Sequence, residues 1–270
     1  MNLCMVYLEM NINQGRLINK MAYPNLIDKH LEEALFHPQD YICYKKVNQA
    51  DFPKSYIILY DRKLFSRVKR KYDLKPEPQI TKVLGNIRAY SYNGIGLIKL
   101  NGIGSPHAIV VLEELIALGG KNFINIGTAG GLLEEGIFLC DRAIRDEGTS
   151  SHYLAHEKYS YPNSQLTESF GKSLTKAGLK FRKATTWTID APYRETKKEI
   201  EQYRGEGVAT VEMEASALFA VAKLRKVRIA SAFAVSDVLG KKWEPKFHHL
   251  NLKTGLNQLV EAALYCLKHA

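Results

Sequence analysis

The chain has 270 residues, 46% of them hydrophobic and 24% charged, with a formal net charge of +10. That balance suits a sizeable globular core and excludes a disordered or fibrous chain. No apolar run reaches membrane-spanning length, so a membrane partner is not expected. Cys4, Cys43, Cys140 and Cys266 are scattered without a C-x-x-C pair. Neither a metal site nor a disulfide framework is expected, and reduced thiols point to a cytoplasmic setting.

The start of the chain carries Glu9 and a run of asparagines and lacks a basic-then-apolar signal design. Met21 offers a second start, so the first twenty residues read as an appendage. Apolar positions Leu26, Ile27, Leu31, Ala34 and Leu35 predict a short amphipathic helix over residues 25–36, ended by His37-Pro38-Gln39-Asp40. Residues 1–50 therefore read as an extension with a short helix, and residues 51–270 as a single domain. Residues 56–60 predict a strand. The cluster Arg62, Lys63, Arg67, Lys69, Arg70 and Lys71 is a solvated face or a lure for phosphate-bearing ligands. No nucleic-acid recognition motif accompanies it, so nucleic acid is not expected as a partner.

The prolines in residues 75–78 read as a breaker. Residues 88–92 and 96–100 predict a hairpin around Asn93-Gly94. Ser105-Pro106 can open a helix that stops at Gly119-Gly120. Further elements follow: strands over 123–126, 208–211 and 229–235, a helix over 215–224, and a last helix marked by Leu252, Leu256, Leu259, Val260, Ala263, Leu264 and Leu267. Strands alternating with helices argue for a largely parallel sheet covered on both faces.

Ligands in such sheets gather at the C-terminal ends of strands, and four polar or glycine clusters fall there. The loop from Asn101 to Pro106 feeds a helix start, either as a tight turn or as a source of N–H groups for an anion. The stretch from Asn125 to Gly131 permits close backbone approach and adds the Thr128 hydroxyl. A third cluster runs from Arg145 to Tyr153. The fourth is Ser236-Asp237, where Asp237 is a helix cap or a general acid. Separately, Glu212 and Glu214 flank Met213 among apolar residues. They are either acidic first-turn residues of a helix or carboxylates that meet a sugar diol.

From about Tyr56 onward the chain resembles the nucleoside phosphorylase family of purine nucleoside and uridine phosphorylases, with related nucleosidases. The residues that carry the likeness are Gly102-Ile103-Gly104-Ser105-Pro106, Ile126-Gly127-Thr128-Ala129-Gly130-Gly131, Val211-Glu212-Met213-Glu214 and Ser236-Asp237. The resemblance implies a three-layer α/β/α sandwich around a mixed, partly barrel-like sheet. It implies cleavage of a nucleoside N-glycosidic bond by phosphate in a homo-oligomer, a dimer or a trimer of dimers, with no metal or organic cofactor. Glu214 and Asp237 would be catalytic. Glu214, Met213 and Thr128 would hold ribose. Glu212, Asp237, Asp190 and Pro192 would surround the base, Pro192 standing where an aromatic is usual; Trp187 is either a replacement stacking face or a core or interface residue. Gly104, Thr128, Asn125 and Arg67 would serve phosphate, with Arg88 as a candidate to reach it across a dimer interface.

Departures from the family pattern bear on the nucleophile and the base. Its Gly-Asp-Pro loop is replaced by Tyr60-Asp61-Arg62, and Asn125 stands where an arginine is usual. Asparagine there also occurs in the hydrolytic nucleosidases. The loop with Gly148, Ser150 and His152 resembles uridine enzymes, whereas Asp237 points to a purine. The alternatives to phosphorolysis are hydrolysis of the same bond and non-catalytic nucleoside binding.

Overall fold

The computed structural model describes residues 23–26, 28–47, 52–132 and 134–269. The expected appendage of twenty residues lies outside them. Eleven strands form one sheet among the described residues, in chain order β1 (Ser55–Leu59), β2 (Lys75–Pro76), β3 (Ala89–Tyr92), β4 (Ile95–Lys99), β5 (Asn122–Gly131), β6 (Ile137–Asp146), β7 (Tyr159–Ser160), β8 (Arg182–Ile189), β9 (Thr210–Glu212), β10 (Arg228–Leu239) and β11 (Trp243–Pro245). The α-helices are α1 (Pro38–Tyr44), α2 (Arg62–Tyr72), α3 (Pro78–Val83), α4 (Ser105–Ala117), α5 (Ser164–Lys176), α6 (Lys197–Gly205), α7 (Ala215–Leu224) and α8 (Leu250–Lys268).

The sheet closes on itself. β5 pairs β10, β10 pairs β6, β6 pairs β8, β8 pairs β9, and β9 returns to β5. This five-stranded ring continues from β5 into an open wing, β1–β4–β3–β2. Parallel pairs such as β1–β5 and β6–β8 occur beside antiparallel ones such as β10–β6 and β5–β9, so the sheet is mixed rather than largely parallel. One helical layer includes α4 and α7, whose Leu112, Leu115, Leu218 and Phe219 pack with Tyr56, Ile58 and Phe123. The opposite layer includes α2, α5 and α8, with Phe65, Phe170 and Leu259 packed on Ile57, Leu59 and Ile124. The architecture is the α/β/α sandwich with a partly barrel-like sheet.

Local chemistry explains most boundaries. Asn93 and Gly94 both have positive φ, 49° and 76°, which matches the twist a two-residue hairpin turn needs. α4 begins with Pro106 in its first turn, and the chain leaves it at Gly119 with φ of 95°. The helix expected over residues 25–36 is absent. A 3-10 turn at Lys29–Leu31 follows Asp28 in the left-handed region, and Leu26, Leu31, Leu35 and Phe36 are exposed. Apolar spacing without a core to pack on does not hold a helix. The helix forms instead where a stop was expected. Pro38 opens α1, and the Asp40 carboxylate accepts the His37 N–H at 2.7 Å. Likewise Pro78 opens α3 instead of ending an element. The basic cluster after Tyr60 folds as α2, its apolar stripe of Leu64, Phe65 and Val68 buried and its last turn basic.

Candidate active site

β9 is three residues long and runs directly into α7. Within that junction the Glu212 carboxylate accepts the backbone N–H groups of Glu214 and Ala215, both at 2.8 Å. These are two of the orphan donors of a helix start. Its other oxygen accepts the Thr188 hydroxyl hydrogen at 2.5 Å, and Thr188 Oγ1 in turn accepts the Ser216 N–H at 3.0 Å. Glu212 was expected on the base side of a ligand. It does border the cavity described below, yet both its oxygens are committed to the protein, because a buried helix start needs acceptors.

Glu214 accepts the Gly104 N–H, and the Ser105 hydroxyl donates to the Met213 carbonyl at 2.7 Å. The N-terminus of α4 is thereby docked on that of α7. Gly104, with φ of 101°, takes a backbone shape that a side chain would strain. Its N–H was expected to serve phosphate and here serves Glu214. Burial pushes the pKa of both glutamates up. The neighbouring Glu214 charge adds to the rise at Glu212, and the donors on each carboxylate oppose it.

These residues border a cavity of about 650 Å³ that runs along β5. Its wall includes Tyr60, which lies beside Gly127, and Thr128, Met213 and Glu214. The atoms nearest to a Cβ built at Gly127 belong to the side chains of Tyr60 and Phe233, the closest at 3.6 Å. Three residues on, a Cβ at Gly130 would stand 3.6 Å from Asp237 Oδ2. Both glycines line this one cavity. The glycines of this stretch are strand residues rather than a turn, and they give the cavity a floor of bare backbone.

Asp237 caps no helix. It lies in β10 just after a bulge, where Val235 pairs with Ala129 and Asp237 with Gly130, leaving Ser236 as the extra residue. The Ser236 hydroxyl donates to Asp237 Oδ1 at 2.7 Å, and the Trp243 indole N–H donates to Oδ2 at 2.8 Å. Trp243 comes from β11, which folds back on β10, and Phe247 packs on it with ring centroids 6.2 Å apart. Both rings wall the cavity, as do Pro192, Tyr193 and Glu195. Burial first, then the Asp237 and Glu199 charges, push the Glu195 carboxyl up to about 7.

The remaining expected residues fall elsewhere. Trp187 is fully buried, donates to Asp146 at 2.9 Å and packs on Tyr203, so it offers no face to a base. The ring fills the layer between the sheet and α6, where Ile200 and Tyr203 also pack. Asp190 accepts the Gly148 N–H at 2.8 Å and borders a separate groove, together with His152. Arg145 is consumed in holding its own loop, through Ser150, Leu154 and Ala155. Asn125 is buried in the middle of β5, donating to Ser231 at 3.2 Å. Arg67 ties α2 to α8 through Asn257 at 3.1 Å, and Arg88 precedes β3. Within the chain neither Asn125 nor Arg67 walls the cavity, and among the described residues no Lys or Arg of the same chain does; Arg88 was expected from across a dimer interface. Sequence reading missed Glu195, Trp243 and Phe247, which sit in charged segments without periodicity. The one available signal was an aromatic pair four residues apart.

Comparison with known proteins gives a consistent result. The chain is 25% identical over 229 residues to "Purine nucleoside phosphorylase DeoD-type 1" of Shewanella oneidensis, covering 80% of this chain and 94% of that protein. It is 30% identical over 155 residues to a guanosine phosphorylase of Halorubrum lacusprofundi, covering 55% of this chain and 64% of the other. A uridine phosphorylase of Thermococcus kodakarensis is 26% identical over 176 residues, 57% of this chain and 64% of that one. In fold, the chain is like the purine nucleoside phosphorylase of Toxoplasma gondii, with a TM-score of 0.72 at 19% identity over 88% of this chain and 96% of that one. It is also like the AMP nucleosidase of Bacteroides thetaiotaomicron, with a TM-score of 0.69 at 21% identity over 87% and 100%. Residues 54–269 match the family described as the phosphorylase superfamily, which includes enzymes acting on nucleosides. With that match spanning most of its length and the same fold around the Glu-Met-Glu junction, the chain belongs to the phosphorylase superfamily.

Proposed function

We propose that this protein cleaves the N-glycosidic bond of a ribonucleoside, with a purine preferred as the base. The observation that carries this reading is that Glu214 and Asp237 border one cavity of about 650 Å³ lined along β5 by Gly127, Thr128, Ala129 and Gly130. Cleavage develops positive charge on the sugar, and an adjacent buried anion stabilises it. Glu214, with one oxygen fixed by Gly104, has the other to receive the ribose diol, and Met213 packs beside it. The base then lies toward Asp237, between Pro192 and the Trp243–Phe247 pair, where its developing negative charge needs a proton.

Phosphate is the nucleophile in this reading, on the strength of the superfamily and of the phosphorylases among the relatives. Thr128 and the backbone of β5 supply its donors, and ribose 1-phosphate is the product. No metal or organic cofactor takes part. A homo-oligomer in the cytoplasm goes with it. Hydrolysis is the second reading. It is favoured by one observation: among the described residues the cavity wall contains Glu195, Glu212, Glu214 and Asp237 and no Lys or Arg to meet a phosphate.

The test is a panel of inosine, adenosine, guanosine and uridine, incubated in phosphate-free buffer and then with rising phosphate. Purine release that depends on phosphate, with ribose 1-phosphate as product, supports phosphorolysis. Free ribose at a constant rate installs hydrolysis. Exclusive cleavage of uridine overturns the purine preference, and an inert wild type overturns the enzyme.

A further inference from the structure

Two carboxyl groups border the base end of the cavity, and they are held differently. Asp237 accepts a hydrogen bond on each oxygen, from Ser236 and from Trp243, which is the arrangement of a fixed acceptor. Glu195 follows the 3-10 turn Pro192–Arg194 and immediately precedes Thr196, the cap of α6. Among the described residues its carboxyl makes no hydrogen bond or ion pair, although it is half-buried in the same wall. The charges acting on it are Asp237 on β10 and Glu199 on α6, and both are negative. Neighbouring carboxyl groups do not both ionise cheaply, so a pair of this kind retains a proton on one member.

We propose that Glu195 is the group that delivers the proton to the departing base, and that Asp237 is the anion that keeps it charged with that proton. The inference rests on the nucleoside-cleaving reading above. As the C1′–N bond breaks, its electron pair goes to the base nitrogen. The Glu195 O–H proton transfers to a ring nitrogen of the base, and an oxygen of phosphate or water bonds to C1′. Glu195 is left as a carboxylate and regains a proton from solvent at the cavity mouth. Burial and the two anions raise the Glu195 carboxyl to about 7, so a useful fraction is protonated in neutral solution. The acid must be protonated to act, so its contribution is lost as pH rises through that value, while the need for an ionised Glu214 sets a separate fall on the acid side.

The experiment compares wild type, Glu195→Gln and Asp237→Asn on inosine and on 4-nitrophenyl β-ribofuranoside, whose leaving group needs no proton. Each is assayed across pH 5 to 9 in the presence of phosphate. Melting temperatures confirm that the variants are folded. Glu195→Gln is expected to lower kcat/KM for inosine by roughly a hundredfold or more, to spare the nitrophenyl substrate, and to abolish the alkaline limb near pH 7. Asp237→Asn is expected to move that limb to lower pH, because it removes an anion from beside Glu195. An active wild type whose alkaline limb survives in Glu195→Gln and vanishes in Asp237→Asn overturns this inference alone. A wild type that cleaves the nitrophenyl riboside and no nucleoside overturns both this inference and the reading it rests on.

Discussion

The Glu212 carboxylate accepts the backbone N–H of Glu214 at 2.8 Å, so one glutamate of the pair fixes where the other stands. The two carboxylates that looked equivalent in the sequence therefore divide the work. Glu212 closes the start of α7, and Glu214 faces the cavity. Their variants should fail in opposite ways. Glu212→Ala strips acceptors from Glu214, Ala215 and Thr188, and is expected to lower stability by about 2–4 kcal/mol in urea unfolding. Glu214→Gln should keep the fold and lower kcat/KM for the best nucleoside by roughly two to four powers of ten. Near-normal turnover in a folded Glu214→Gln protein removes Glu214 from the chemistry.

The same pair makes stability depend on pH. Burial raises both carboxyl groups above their ordinary range of about 4.5. A carboxyl that holds its proton more tightly in the folded chain favours folding at low pH. That contribution is complete below the unfolded value and is lost as pH rises through the folded one. Between pH 6 and 9 these two groups are expected to withdraw more than about 1 kcal/mol from unfolding stability. Glu212→Gln should flatten the dependence. A steeper alkaline loss in Glu212→Gln than in wild type would show that the pair is ionised throughout.

Trp243 tests the base end. Trp243→Phe keeps an aromatic face and deletes the donor to Asp237. It should lower kcat/KM roughly three- to tenfold, the scale of one partly exposed hydrogen bond. Trp243→Ala should act mainly on KM, by roughly ten- to a hundredfold, as a lost aromatic wall does. Steady-state kinetics matching wild type in both variants would place the β10–β11 hairpin outside the site.

Arg67 gives a prediction of no effect on the ligand. It joins α2 to α8 through Asn257. Arg67→Ala should cost less than about 1 kcal/mol and leave the phosphate dependence of turnover unchanged within about twofold. A tenfold rise in the phosphate requirement would bring Arg67 to the anion after all.

What the sequence made legible was local or carried by short motifs. Asn93-Gly94 and Ser105-Pro106 mark a turn and a helix start by their own chemistry, and α7 begins and ends where expected. The closure of the sheet was not legible from the residues, because it depends on β10 pairing both β5 and β6, far apart in the chain. The same limit hid the site's further members. Glu195 and Trp243 lie 48 positions apart in polar segments, and only the fold brings both to Asp237. Arginine has no local mark that separates a strut such as Arg67 from an anion ligand. Trp187 showed the converse: an attractive ring for a base also fills the layer between a sheet and a helix.

The ring of strands has an evolutionary consequence. β9 closes the ring and leads straight into the Glu-Met-Glu junction, so drift in that stretch threatens folding as well as sugar binding. Glu195 sits on a short turn between elements, and Trp243 and Phe247 lie on and after an edge hairpin. Those segments can exchange residues while the ring stays shut. On the proposed reading, a lineage built on this plan is free to change the base it takes while its grip on ribose remains frozen.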